Sequence, residues 1–203
     1  MAAPTPSLPP ALWDAVIKGD LNEARQLLAG GANVDERGGE APHLCTPLQV
    51  AVPDTEMVQL LLEHGADESA VDASGRTPLA QASYFGNEAV ALVFLEKGVA
   101  GVSAKDTVGM TPLHWAALKG QSEVVRVLIE LRANVSAEDN SGQIPVEMAS
   151  AQSHPQVVAM LKAEALIRAK CVAFAMGHHA RLGVGSRLEG LDPEVVRKVL
   201  EQV

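Results

Sequence analysis

Aromatic side chains are scarce, at 3% of 203 residues: two Trp, one Tyr and three Phe. Any core must therefore be aliphatic, and an apolar content of 47% is enough to supply one. Cysteine is nearly missing too. Cys45 and Cys171 stand far apart with no metal-ligand spacing, so free thiols in a reducing, intracellular compartment are expected. Positive charge is in deficit. A formal net charge of −9 and a pI near 5.1 argue against a nucleic-acid footprint and favour a self-repelling monomer with a basic or neutral protein partner. No stretch approaches the roughly 20 apolar residues of a membrane helix. The opening MAAPTPSLPP has neither the charged and apolar regions of a signal peptide nor the arginines of a transit peptide. A soluble, intracellular chain, cytoplasmic or alternatively nuclear, with no membrane insertion is the expectation.

What the chain does have is a period. Thr-Pro-Leu occurs at Thr46, Thr77 and Thr111, with Ile144-Pro145-Val146 as a degenerate fourth, at intervals of 31, 34 and 33 residues. A second landmark, the end of an apolar helical pattern, falls at Gly31, Gly65, Gly98 and Arg132, spaced 34, 33 and 34. A third, Asp-x-x-Gly, runs from Asp72 to Gly75, Asp106 to Gly109 and Asp139 to Gly142. Three landmarks in step define a repeat of one helix pair.

The stretch from Thr107 to Asp139 shows the physics of one unit. Thr111 can cap a helix and Pro112 suits its first position. Leu113, Ala116 and Ala117 form a small apolar face, and Gly120 ends the helix. Val124, Val125, Leu128 and Ile129 then recur at helical spacing, which predicts a second, antiparallel helix. Such a pair cannot bury both apolar faces alone, so it needs a copy on each side.

The residues GMTPLHWAALKGQSEVVRVLIELRANVSAED and GRTPLAQASYFGNEAVALVFLEKG resemble the ankyrin repeat. The resemblance covers residues 11–162 in about five units, following a Pro-rich lead of residues 1–10 and preceding a helical extension of 163–203. It implies an all-α solenoid of L-shaped units, each a β-hairpin finger followed by two helices. It also implies a non-catalytic protein-binding role with no cofactor and no metal. His114 resembles the family's structural histidine, which ties the helix start to the finger. The residues that the family turns toward its concave groove would be Ala73, Ser74, Arg76, Tyr84 and Phe85 in one unit. In the next they would be Thr107, Val108, Met110, Leu118 and Lys119. Tyr84 and Phe85 are the expected anchor, because two adjacent aromatics stand there in a chain that has few.

Irregularities mark the ends and one seam. ALWDAVIKGD aligns with the central unit, Leu12 matching Leu113 and Gly19 matching Gly120, while Trp13 replaces His114 and offers a different outer surface. The insert ERGGEAPHLC predicts a longer first finger. Pro53, in place of a glycine turn, predicts a shorter helix after Thr46. The unit at Ile144, with Ser153 for the turn glycine and Pro155 opening its second helix, reads as a cap.

After residue 162 the repeat stops. ALIRAKCVAFAMGHHARLG reads as a helix ended by Gly183, and LDPEVVRKVLEQV as a second one capped by Asp192 with Pro193 at its first turn. A helical hairpin packed on the last repeat by Val172, Phe174, Met176, Val195, Val199 and Leu200 is expected. The layout also resembles a SOCS box, with Ile167 in the leucine place before Cys171 and Leu191-Asp192-Pro193 as a reduced Leu-Pro run. That resemblance implies an alternative role as a substrate adaptor of a ubiquitin ligase. A structural subunit of a larger assembly is the third possibility.

No chemistry emerges beside these. Adjacent His178 and His179 point about 100° apart on a helix and do not converge on one metal. Gly183, Gly185 and Gly190 follow no strand and fit no phosphate-loop spacing. No serine sits in a nucleophile motif.

Overall fold

The Thr-Pro starts and glycine stops cut the chain into pairs of short helices. The computed structural model describes residues 11–39, 45–97 and 101–182, the stretch 171–182 as helix backbone alone. The Pro-rich lead, Gly98 and the second tail helix expected after Leu191 lie outside these residues. Ten helices and no strand occur among the described residues. They pair as α1 (Ala11–Lys18) with α2 (Leu21–Ala29), α3 (Pro47–Ala51) with α4 (Thr55–Glu63) and α5 (Pro78–Phe85) with α6 (Glu88–Lys97). α7 (Pro112–Lys119) pairs with α8 (Ser122–Glu130), and α9 (Pro145–Ala151) with α10 (Pro155–Leu182).

The first helix of each pair from α3 onward starts alike. Thr46, Thr77 and Thr111 hold extended backbone before a proline, and the Thr46 and Thr77 hydroxyls accept the N–H of Gln49 and Ala80. Ile144 takes the same backbone without a hydroxyl, and the Glu147 carboxylate accepts its N–H at 3.0 Å. α3 is five residues long against eight in α5 and α7, as the missing turn glycine predicts. Contact in the first-helix row is thinnest between α3 and α5.

The turn after each first helix also locks neighbouring repeats. Gly86 and Gly120 take φ of 77° and 73° and Ser153 takes 60° at the corresponding turn, and the residues after Gly86 and Ser153 reach back to the preceding repeat. Asn87 Nδ2 donates to the Val52 carbonyl at 2.9 Å, and His154 Nε2 to the Leu118 carbonyl at 3.2 Å. A Cβ on Gly86 would meet the Gln121 amide, and one on Gly120 the His154 ring at 2.5 Å, so both the backbone and the close approach require glycine.

Buried, mostly aliphatic residues from Leu12 to Leu161 form one continuous core, and the aromatic Phe94 is its largest member. α8 shows how a second helix enters it: Val124, Val125, Val127 and Leu128 face inward, while Arg126 on the outside pairs with Glu123, Glu130 and, across the repeat, Glu88. From α5 to α9 the first helices lie against one another more closely than the second helices do. Small side chains such as Ala82, Ala116, Ala117 and Ala149 permit that approach and bend the stack with the first-helix row inside.

Three expectations are corrected. The β-hairpin fingers are hydrogen-bonded turns, and pairing between extended segments is limited, among the described residues, to the bridge of Gly38 with Cys45. Trp13 is half-buried and packed over Gly38, where a Cβ would strike the indole at 2.3 Å, so it closes the first finger instead of offering an outer surface. The helix expected to begin after residue 162 is the same helix as the one opened by Pro155, since α10 crosses that point without a break. Arg168 fastens it, pairing with Glu164 at 2.6 Å and donating to the Ala133 carbonyl at 2.8 Å. Of the SOCS-box positions, Ile167 is 56% exposed and the side chains of Cys171 and Leu191 lie outside the described residues.

Candidate protein-interaction surface

The fingers are built by one carboxylate each. Asp72 Oδ1 accepts the N–H groups of Ser74 and Arg76, Asp106 those of Val108 and Met110, and Asp139 those of Ser141 and Gln143, all between 2.8 and 3.0 Å. Gly75, Gly109 and Gly142 close the turns at φ of 74°, 81° and 79°. Successive fingers are then stitched together. Thr107 donates both its N–H and its hydroxyl to the Ser74 carbonyl at 3.0 Å, and Asn140 donates its N–H to Val108 and its amide to Thr107. Burial opposes ionisation of Asp72, but the Arg76 N–H, the Gln81 amide and the Arg76 guanidinium outweigh it and hold the carboxyl below its ordinary range.

The second oxygen of the same carboxylates ties finger to helix. Asp72 Oδ2 accepts from Gln81 Nε2 at 3.1 Å, and nine residues after Asp106 the indole N–H of Trp115 donates to Asp106 Oδ2 at 2.9 Å. Trp115 is thereby fixed on the inner row, where the edge of its ring meets Tyr84, with centroids 5.5 Å apart. Tyr84 in turn packs edge-on against Phe85 at 5.1 Å, and Lys119 Nζ lies 4.5 Å from the Tyr84 centroid. The residue that sequence reasoning missed here is Trp115. The signal that could have found it is its register: it occupies the position of Gln81, nine after the finger aspartate.

The ten expected groove residues separate by exposure. Ala73, Ser74, Phe85, Thr107, Val108 and Lys119 are exposed, with Phe85 at 68%. Arg76, Tyr84 and Leu118 are half-buried. Arg76 is held by Asp72 at 3.0 Å, and Tyr84 is sandwiched by Trp115 and Lys119. Met110 is a correction: it is buried at 7% exposure, because the residue after the finger glycine turns under the finger instead of over the groove. Among the described residues, the ring contacts to Tyr84 come from its own repeat and the next one.

His114 behaves as a structural residue. Its Nδ1 accepts the Thr111 N–H at 3.1 Å and its Nε2–H donates to the Gln143 carbonyl at 3.1 Å, so it ties its helix start to the finger of the following repeat. Gln49 plays the same part in an earlier repeat, accepting from the Thr46 N–H at 2.8 Å and donating to the Ala70 carbonyl at 3.1 Å. Among the described residues no cluster of His, Cys, Asp or Glu is placed to hold a metal, and no helix is long and apolar enough to cross a membrane. The groove of about 580 Å³ between α9 and α10, lined by His154, Pro155, Val158 and Lys162, lies at the end of the array, apart from the aromatic cluster.

Comparison with known proteins agrees with this architecture. The family model described as ankyrin repeats (3 copies) matches residues 12–106 and again 99–171. Among curated relatives, the tyrosine-protein kinase HTK16 of Hydra vulgaris is 36% identical over 83 residues, 40% of this chain and 11% of that protein. The palmitoyltransferase AKR1 of Lachancea kluyveri is 33% identical over 155 residues, 57% of this chain and 21% of that protein. Mouse Rabankyrin-5 is 34% identical over 112 residues, 54% of this chain and 9% of that protein. The chain thus spans about a fifth or less of each relative, and the matches to the kinase and the transferase run over ankyrin-like regions.

Proposed function

The chain belongs to the ankyrin-repeat family, a fold that serves as a protein-interaction module, and from that premise we propose that it captures a protein partner on the first-helix row at α5 and α7. The observation that carries this reading is Phe85. A phenyl ring 68% exposed, held edge-on by Tyr84, which is itself braced by Trp115, is a rigid apolar anchor that no contact of the stack requires. Ala73, Ser74, Thr107 and Val108 on the stitched fingers form the facing wall of the surface. Because fingers and helices are fixed by hydrogen bonds before any partner arrives, little ordering entropy opposes binding. The role is display without catalysis.

The ring contacts decide which variant tests this. Replacing Tyr84 disturbs its packing on Trp115, whereas Phe85→Ala removes an exposed ring and leaves the stack in place. Affinity capture followed by mass spectrometry should recover a protein that Phe85→Ala loses and that Arg126→Ala, on the outer helices, retains. A partner retained by Phe85→Ala and lost with Arg126→Ala would place the interface on the wrong face.

A further inference from the structure

The net charge of −9 is a property of the whole chain, and it does not describe the inner row. The outer helices carry the acid: Glu56 and Glu63 on α4, Glu88 and Glu96 on α6, Glu123 and Glu130 on α8. α3 and α5 carry no charged residue at all. On α7 the one cation is Lys119; of the acids in this row, Asp14 on α1 pairs with Lys18 and Glu147 on α9 is engaged on the Ile144 N–H. The finger carboxylates Asp72, Asp106 and Asp139 are taken up by the N–H groups of their own turns. No carboxylate among the described residues forms an ion pair with Lys119, whose ammonium rests on the Tyr84 ring instead.

Resting on the surface proposed above, we infer that the partner offers an acidic segment: an apolar side chain seated on Phe85, with a carboxylate next to it that takes Lys119. Two features argue for an acid over a base. A basic segment would meet an exposed ammonium with no carboxylate beside it to compensate, and a cation seeking the Tyr84 face would find Lys119 already there. A carboxylate meets a cation whose position is already fixed by the ring, so its pairing costs little further side-chain ordering. The basic or neutral partner suggested by the overall charge is the opposite reading, and it fails locally because α3, α5 and α7 carry no acidic residue and the Asp72 and Asp106 carboxylates beside them are held by their own turns.

The test uses the full chain and a random peptide library displayed on phage. Retained peptides should carry Asp or Glu within a few residues of an aromatic or large aliphatic side chain. Synthetic versions should bind Lys119→Glu about tenfold more weakly, with binding restored when the peptide acid is changed to Lys. Lys119→Gln, which keeps the stem, should give an intermediate loss, and circular dichroism checks that both variants are folded. Peptides that need Phe85 but bind Lys119→Glu unchanged, or that are enriched in Lys and Arg, would overturn the acidic segment and leave the surface standing. Peptides bound equally by Phe85→Ala, or no retained peptide at all, would overturn the surface together with it.

Discussion

His114 Nε2 donates to the carbonyl of Gln143 across 29 residues of sequence and 3.1 Å of space, joining a helix start to the finger of the next repeat. The imidazole is fully buried, and that burial depresses its pKa below 6.5 despite the Gln143 carbonyl and Asp139, which pull the other way. The unfolded chain therefore takes up this proton near pH 6.5 while the folded chain stays neutral. Stability from His114 is complete above that pH and is lost as pH falls from about 6.5 toward the lower folded value. Gln49 makes both bonds without a titrating group, so His114→Gln should fold and should lose less stability between pH 7.5 and 5.5 than the native chain. Urea unfolding at the two pH values measures this, and equal losses would show that His114 does not set the dependence.

The contrast between Gly31 and Gly120 isolates the inter-repeat lock. Both hold positive φ, 86° and 73°, but a Cβ at Gly31 meets nothing within 4 Å, whereas at Gly120 it strikes the His154 ring at 2.5 Å. Gly31→Ala should cost about 1 kcal/mol for the left-handed backbone. Gly120→Ala should cost roughly 1–3 kcal/mol more, because His154 must leave its bond to the Leu118 carbonyl. Chemical denaturation of the two variants separates backbone strain from the lost lock. Equal losses would mean that His154 shifts freely.

Arg132 and Ser153 hold φ of 63° and 60°, at positions where other repeats place glycine. The period of the landmarks predicts those turns even though the glycines are gone. Arg132→Gly and Ser153→Gly relieve left-handed strain and add unfolded-state entropy, and the relief of strain outweighs the entropy. Each should raise stability by about 0.5–1 kcal/mol, read as a higher midpoint of thermal unfolding. A lower midpoint for both would show that their side chains contribute more than the strain costs.

The repeat and its boundaries up to α9 are legible in the sequence because each depends on residues with one dominant conformational use: Thr-Pro at a start, Gly at a left-handed stop, Asp in a turn. The role of His114, by contrast, is implied only by the resemblance to the ankyrin repeat. The end of the motif at residue 162 suggests a new helix there, yet no glycine or proline stands between Pro155 and Gly177, so nothing stops α10. The place of Met110 in the repeat suggests a groove residue. Arg76, at the homologous place, is half-buried too, so the position favours a side chain lying under the finger. Trp115 is hard to single out because one apolar ring in an inner helix looks like packing. Its function comes from the N–H, which finds Asp106 only when finger and helix are folded together.

That bond yields the last prediction. Trp115→Phe keeps a ring against Tyr84 and removes the donor to Asp106, whose carboxylate still holds the Val108 and Met110 N–H groups. A hydrogen bond to a charged acceptor contributes about 1.5–3 kcal/mol, and partial exposure of the pair reduces the expected loss to about 1–2 kcal/mol. Combining it with Asp106→Asn in a double-mutant cycle should return a coupling of similar size. The second tryptophan, Trp13, sits at the other end of the array over Gly38 and remains as a fluorescence probe of unfolding in the variant. Because Phe85 is held by Tyr84 and Tyr84 by whatever ring stands at 115, Trp115→Phe should lower stability while leaving peptide capture nearly unchanged. Trp115→Ala should lower both. If Trp115→Phe abolishes capture in a chain still folded, the indole itself is the contact, and the anchor moves from Phe85 to Trp115.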